Sequence, residues 1–121
     1  METEIVQTKA QVEALDRMVL KGKILEAIDA FFHPDVVTQE GNGAITNGLA
    51  NKKEKLTEFF AGIASVNAIT LHSHASRGDV SMSEYTFDLT RKDGTPILWN
   101  EILRRKWKDG LVIDERYYTA D

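Results

Sequence analysis

Gly78, Gly94 and Gly110 stand 16 residues apart, in Arg77-Gly78-Asp79, Asp93-Gly94 and Asp109-Gly110. Asp-Gly between alternating apolar and polar runs is a hairpin signal, because the tight primed turn needs positive φ at both central residues. The spacing predicts four strands, at about 66–76, 80–91, 96–107 and 111–119, joined as an antiparallel meander. Each is roughly twice the usual strand length. A sheet that long must twist and coil, which leaves it with a concave face.

The residues ahead of the meander supply what covers that face. Val12, Leu15, Met18 and Val19 recur at spacings of three and four, the mark of one helix face. Gly22 is placed to end that helix. Ile24, Leu25, Ile28, Phe31 and Phe32 form the stripe of a second, shorter helix, which His33-Pro34-Asp35 is expected to stop. Val36 to Glu40 reads as a short strand, and Gly41 to Gly48 (GNGAITNG) as a loop of tight turns. A third helix is expected from Leu49 or Asn51 to Ala64. Asn51 and Glu54 would form its capping arrangement, and Leu56, Phe59, Phe60 and Ile63 its buried stripe.

Composition narrows the class. A chain of 121 residues with 42% hydrophobic and 28% charged residues is a single globular domain, here residues 1–121. No apolar run reaches the roughly 20 residues that span a bilayer, and no secretory leader is visible, so the expectation is no membrane association. The absence of cysteine removes disulfides, thiolate metal sites and cysteine nucleophiles, and fits a cytoplasmic setting. A net charge of −4 argues against nucleic acid as a partner. No phosphate-binding loop, dinucleotide motif or metal motif occurs, so no cofactor and no metal are implied.

The order of elements, with Phe32-His33-Pro34-Asp35-Val36, Gly48 before the third helix, Gly78-Asp79-Val80, and Asp109-Gly110 leading into Arg116-Tyr117-Tyr118, resembles the SnoaL-like and ketosteroid-isomerase-like members of the nuclear transport factor 2 superfamily. The resemblance covers nearly the whole chain. It implies an α+β fold: a cone of three N-terminal helices packed in a strongly curved antiparallel sheet, a cystatin-like roll. It also implies a conical pocket between sheet and helices. The superfamily includes isomerases, polyketide cyclases, epoxide hydrolases, dehydratases and members without catalysis.

The same resemblance selects the strand faces. It places Val112, Asp114, Arg116 and Tyr118 of the last strand inward, and Trp99, Glu101 and Leu103 of the strand before it. An Asp essential to the epoxide-hydrolase branch falls where Ala120 stands, with Asp121 one residue out of phase, which counts against that mechanism. The oxyanion-hole Asp of the ketosteroid-isomerase branch falls near Leu103, where no acid is present. Pairing about Asp109-Gly110 sets partner sums near 219, so Glu101 faces about Tyr118 and Leu103 about Arg116. A bulge would shift this by one and reverse the faces.

Within that frame Glu101, Arg116 and Tyr118 are the candidate catalytic residues. A carboxylate in an apolar pocket gains proton affinity and can act as general acid or base. Arg116 could hold an anionic group and Tyr118 could donate to a carbonyl oxygen. Alternatively, Glu101 pairs with Arg116, or Arg116 with Asp114, and the pair only holds the sheet. Trp99, Glu40, Tyr85, His72, His74, Leu103 and Asp114 are the candidate ligand-binding residues. His72 and His74 lie on one face of the first long strand, and either could serve as a base.

Two functions remain open. One is a pocket for an apolar or cyclic small molecule, with proton-transfer chemistry of isomerase, cyclase or dehydratase type. The other is a non-catalytic ligand-binding or association module. Leu98, Ile102 and Ile113 would be exposed on the outer sheet face, and a homodimer through that face is expected in either case.

Overall fold

A computed structural model describes residues 2–119, with side chains from residue 8 onward; Ala120 and Asp121 lie outside the described residues. The chain order is α1 (Glu2–Leu20), α2 (Ile24–Phe31), β1 (Phe32–Gln39), β2 (Ile45–Asn47), α3 (Leu49–Ala61), β3 (Ile63–Arg77), β4 (Val80–Arg91), β5 (Pro96–Lys108) and β6 (Leu111–Thr119). Three helices and one six-stranded sheet make an α+β fold. Among the described residues, no helix is long and apolar enough to cross a membrane.

The meander from β3 to β6 is antiparallel throughout, and its hairpins close where the glycines stand. At the tightest of them Asp109 (φ 53°) and Gly110 (φ 79°) are both left-handed, as the primed turn requires. Beyond the expected meander, β1 inserts parallel to β6 and antiparallel to the short β2, giving the order β2-β1-β6-β5-β4-β3. The sheet is therefore mixed at one end. This brings Thr38 of β1 opposite Glu115 of β6 and Thr46 of β2.

Several boundaries differ from the sequence expectation. α2 stops just ahead of His33-Pro34-Asp35, at Phe31, but Phe32 leaves the helix stripe and His33-Pro34 lies inside β1. An edge-proximal strand start tolerates proline because few ladder bonds are lost there. α3 is not capped by Asn51. Its N-cap is Gly48, and the Asn51 side chain donates to the Asn47 carbonyl instead. α3 stops at Ala61, and Ile63 begins β3. The Asn-Gly loop is not turns alone: it contains the short strand β2.

Val12, Leu15 and Val19 of α1, Ala27 and Ile28 of α2, and Phe32 and Val36 of β1 pack onto Tyr85, Leu103, Trp107 and Val112 of the concave sheet face. Each such side chain taken fully out of water contributes about 1.5–3 kcal/mol. All three helices contribute to the cavity wall that faces the sheet: Leu15 and Val19 from α1, Ile28 from α2, and Leu56 and Phe59 from α3.

Candidate functional site

Alternation along β5 turns Ile97, Trp99, Glu101, Leu103, Arg105 and Trp107 to the concave side. On β6 the phase is set by a bulge. Lys108 pairs with Leu111 and Trp107 with Val112, but Lys106 pairs with Asp114, leaving Ile113 as the extra residue. Beyond it the partner sum rises from 219 to 220: Arg105 faces Glu115, Leu103 faces Tyr117, and Glu101 faces Thr119. Glu115 and Tyr117 therefore point inward.

This corrects three expectations. Arg116 is exposed, with its Nε 3.6 Å from Asp114 Oδ1. Asp114 lies on the same outer side, between Arg116 and Arg104. Tyr118 pairs with Ile102 and is 46% exposed. None of the three lines the cavity. The physical reason is the single extra residue at Ile113, which flips everything after it. The alternative pairing of Glu101 with Arg116 falls with it.

A second bulge, between Leu71 and Ser73, separates the two histidines. His72 Nε2 lies 2.6 Å from Thr86 Oγ1, whose hydroxyl donates to Asn100 on the outer face. His74 pairs with Ser83 on the inner side, with its Nδ1 3.7 Å from Asp16 Oδ2. Neither lines the cavity. Tyr85 points inward but sits wholly in the core, where its hydroxyl donates to Asp16.

Trp99, Glu101, Leu103 and Glu40 do line a cavity of about 200 Å³ at the open end of the cone. Its wall is aromatic and aliphatic, with Phe59, Phe60 and Leu56 of α3 opposite Phe87 and Trp99 of the sheet. Phe59 and Trp99 stack at 5.1 Å between ring centroids, 28° from parallel, and form one side of the mouth.

The floor is ionic. Lys52, on α3, donates from Nζ to Glu115 Oε1 at 2.8 Å and to the Tyr117 hydroxyl oxygen at 2.8 Å. Arg105 Nε donates to Glu115 Oε2 at 2.7 Å, and its Nη1 lies 3.5 Å from Asp16 Oδ1. Asp16 also accepts from Ser83 and Tyr85. Two cations and two anions alternate in this chain. Burial opposes ionisation of Glu115, but Lys52 and Arg105 outweigh it and hold its carboxyl below the ordinary range. Burial also opposes the charge on Lys52 and Arg105, and their carboxylate partners outweigh it, raising both.

Tyr117 is different in kind. Its oxygen accepts from Lys52, which leaves its own hydrogen directed toward no acceptor among the described residues. Burial and the Glu115 charge push its pKa up to about 12, so it remains a neutral donor. Glu101 lies diagonally across the β5–β6 pair from Tyr117, on the same face. No side chain among the described residues hydrogen-bonds or ion-pairs with Glu101. Burial in the apolar wall, then repulsion from Glu115 and Glu40, push its pKa up to about 7, with Lys52 pulling the other way. The Thr38 hydroxyl, beside Glu115, is buried and unpartnered.

Lys52, Glu115, Tyr117 and Asp16 are site and floor residues that sequence reasoning missed. Two left a trace. Asp16 stands between Leu15 and Val19 on the apolar stripe of α1, and Lys52 stands four residues before Leu56 on that of α3. A charge in a core position implies a buried partner. Glu115 and Tyr117 left none, because their facing depends on the bulge.

No family model and no curated protein matches the sequence. Solved structures do match. A candidate SnoaL-like polyketide cyclase from Mesorhizobium loti superposes with a TM-score of 0.82 at 18% identity, over 91% of this chain and 97% of that one. TerC, crystallised with polyporic acid, superposes with a TM-score of 0.75 at 18% identity, over 93% and 91%. An epoxide hydrolase from M. tuberculosis, described as LEH-like, gives 0.74 at 18% identity, over 96% and 84%. At these identities the likeness is one of fold: the chain has the cone-shaped α+β fold shared by SnoaL-like, ketosteroid-isomerase-like and nuclear transport factor 2-like proteins.

Proposed function

We propose that the cavity is a pocket for a small, mostly apolar and cyclic ligand, and that Glu101 exchanges a proton with that ligand. The observation that carries the proposal is the Glu101 carboxyl, set in an aromatic wall with its pKa near 7 and without a partner among the described residues. A general acid–base group works best when its pKa lies near the working pH. Tyr117, diagonal to it, offers a hydrogen that the fold does not use, and Lys52 behind its oxygen makes that hydrogen a stronger donor.

The chemistry that fits is enolisation. The Glu101 carboxylate takes a proton from carbon next to a ligand carbonyl. Charge moves onto the carbonyl oxygen, which accepts from the Tyr117 hydroxyl. The proton then returns from Glu101 to a different carbon, or an adjacent leaving group departs. Isomerisation, cyclisation and dehydration share this first step, and none of it calls on a cofactor. Neighbours of the same fold support a pocket of this kind, since one of them was crystallised with polyporic acid and others are described as candidate polyketide cyclases.

β-Tetralone in heavy water tests this without knowledge of the natural substrate. The protein should speed exchange of the α-hydrogens for deuterium. Glu101→Gln should return the rate to that of buffer while amide NMR shifts still report binding, and Tyr117→Phe should lower it. Binding without exchange in the unaltered protein favours the non-catalytic module instead.

The outer sheet face supports a homodimer as part of the same proposal. Leu98 is 63% exposed there, and farther along the same face Ile102 pairs with the exposed Tyr118, with the exposed Met82 diagonal to it. Exposed apolar clusters on a sheet face are costly unless covered.

A further inference from the structure

The cations and anions of the cavity are unequally matched. Lys52 and Arg105 are consumed by Glu115 and Asp16 in the floor. Glu101 and Glu40 also line the cavity, and neither side chain has an ion-pair or hydrogen-bond partner among the described residues. The one further cation in the lining, Lys55, is an exposed residue at the rim, where water screens it. The open end of the cavity therefore carries excess negative charge.

One other feature points to an occupant. The Thr38 hydroxyl, in a residue only 3% exposed, lines the cavity and has no hydrogen-bond partner among the described residues. A buried hydroxyl left unpaired is costly, and a ligand acceptor that reaches it on side-chain rotation removes the cost. An anionic ligand would meet Glu40 and Glu101 and find no unpaired buried cation to receive it.

We infer that the ligand carries a cationic nitrogen, an ammonium on an otherwise apolar body, seated against Glu101 and Glu40 beside the Phe59–Trp99 pair. The inference rests on the cavity being a ligand pocket. Its apolar body would fill the wall formed by Leu56, Phe60 and Phe87. A bound cation favours the ionised form of Glu101. Affinity for a permanently charged ligand should therefore rise with pH through Glu101's midpoint, which burial, then Glu115 and Glu40, raise and Lys52 lowers.

Phenyltrimethylammonium and its neutral carbon isostere tert-butylbenzene are the probes, titrated against the full chain by amide NMR. The cation cannot lose a proton, so any pH dependence belongs to the protein. The expected result is binding of both at the cavity, with the cation about tenfold tighter near pH 8 and close to parity near pH 5.5. Glu101→Gln should keep both probes bound and abolish most of the preference. Equal affinity at both pH values, or a preference that survives in both Glu101→Gln and Glu40→Gln, overturns the inference and leaves the pocket standing. Failure of either probe to shift the cavity residues overturns the pocket itself.

Discussion

The floor and the wall of the cavity hold the same kinds of side chain under opposite terms. In the floor, Asp16, Arg105, Glu115 and Lys52 are each 4% exposed or less, and every one is closed into the chain of ion pairs. In the wall, Glu101 and Glu40 are half-buried and Thr38 is fully buried, yet their side chains make no such contacts. Both regions take polar groups out of water, which is costly without partners. The floor recovers the cost inside the protein, so its charges serve the fold, tying α1 and α3 to β5 and β6. The wall leaves its cost unrecovered, and only something arriving from solution can supply the missing partners.

Breaking the floor should give the largest effect. Glu115→Ala leaves Lys52 and Arg105 buried without their shared acceptor and should cost about 3–5 kcal/mol in denaturant unfolding. The wall should respond with the opposite sign. Because burial raises the pKa of Glu101 from the ordinary carboxyl value of 4.5 to about 7, the native state binds more protons than the unfolded chain between those values. Stability should fall as pH rises through that window and level off above it. Glu101→Gln removes the ionisation and should be more stable than the unaltered protein by about 1–2 kcal/mol near pH 8, a figure reduced for solvent screening of a half-buried group. The two should converge near pH 4.5. Tyr85→Phe removes one of several donors to Asp16, and should cost about 1 kcal/mol. Leu98→Lys, on the outer face, should change protomer stability by less than about 0.5 kcal/mol while lowering the mass seen in light scattering. An unchanged mass would count against the homodimer.

The elements were legible where the signal is local. Alternation and three turn glycines placed β3 to β6 within a few residues, and apolar spacing placed the helices. The facing of β5 was legible too, since Trp99, Glu101 and Leu103 point inward. What was illegible depends on single inserted residues. The bulge at Ile113 exchanged Asp114, Arg116 and Tyr118 for Glu115 and Tyr117, and the one after Leu71 put His72 and His74 on opposite faces. Neither bulge carries a glycine or a proline to announce it. The parallel docking of β1 on β6 joins residues far apart in sequence, and no local pattern encodes it. Lys52 could have been found from its place on the α3 stripe, had a charge there been weighed as a core residue.

The contrast between floor and wall comes down to one carboxyl. A carboxyl-carbon NMR titration of the glutamates, assigned by comparison with Glu101→Gln, measures it directly. The expected result is one glutamate titrating near pH 7 that disappears in the variant, while Glu115 titrates below the ordinary range. A midpoint for Glu101 at the ordinary carboxyl value, near 4.5, would mean that it is solvated or paired in solution, and would contradict its role as the open group of the cavity.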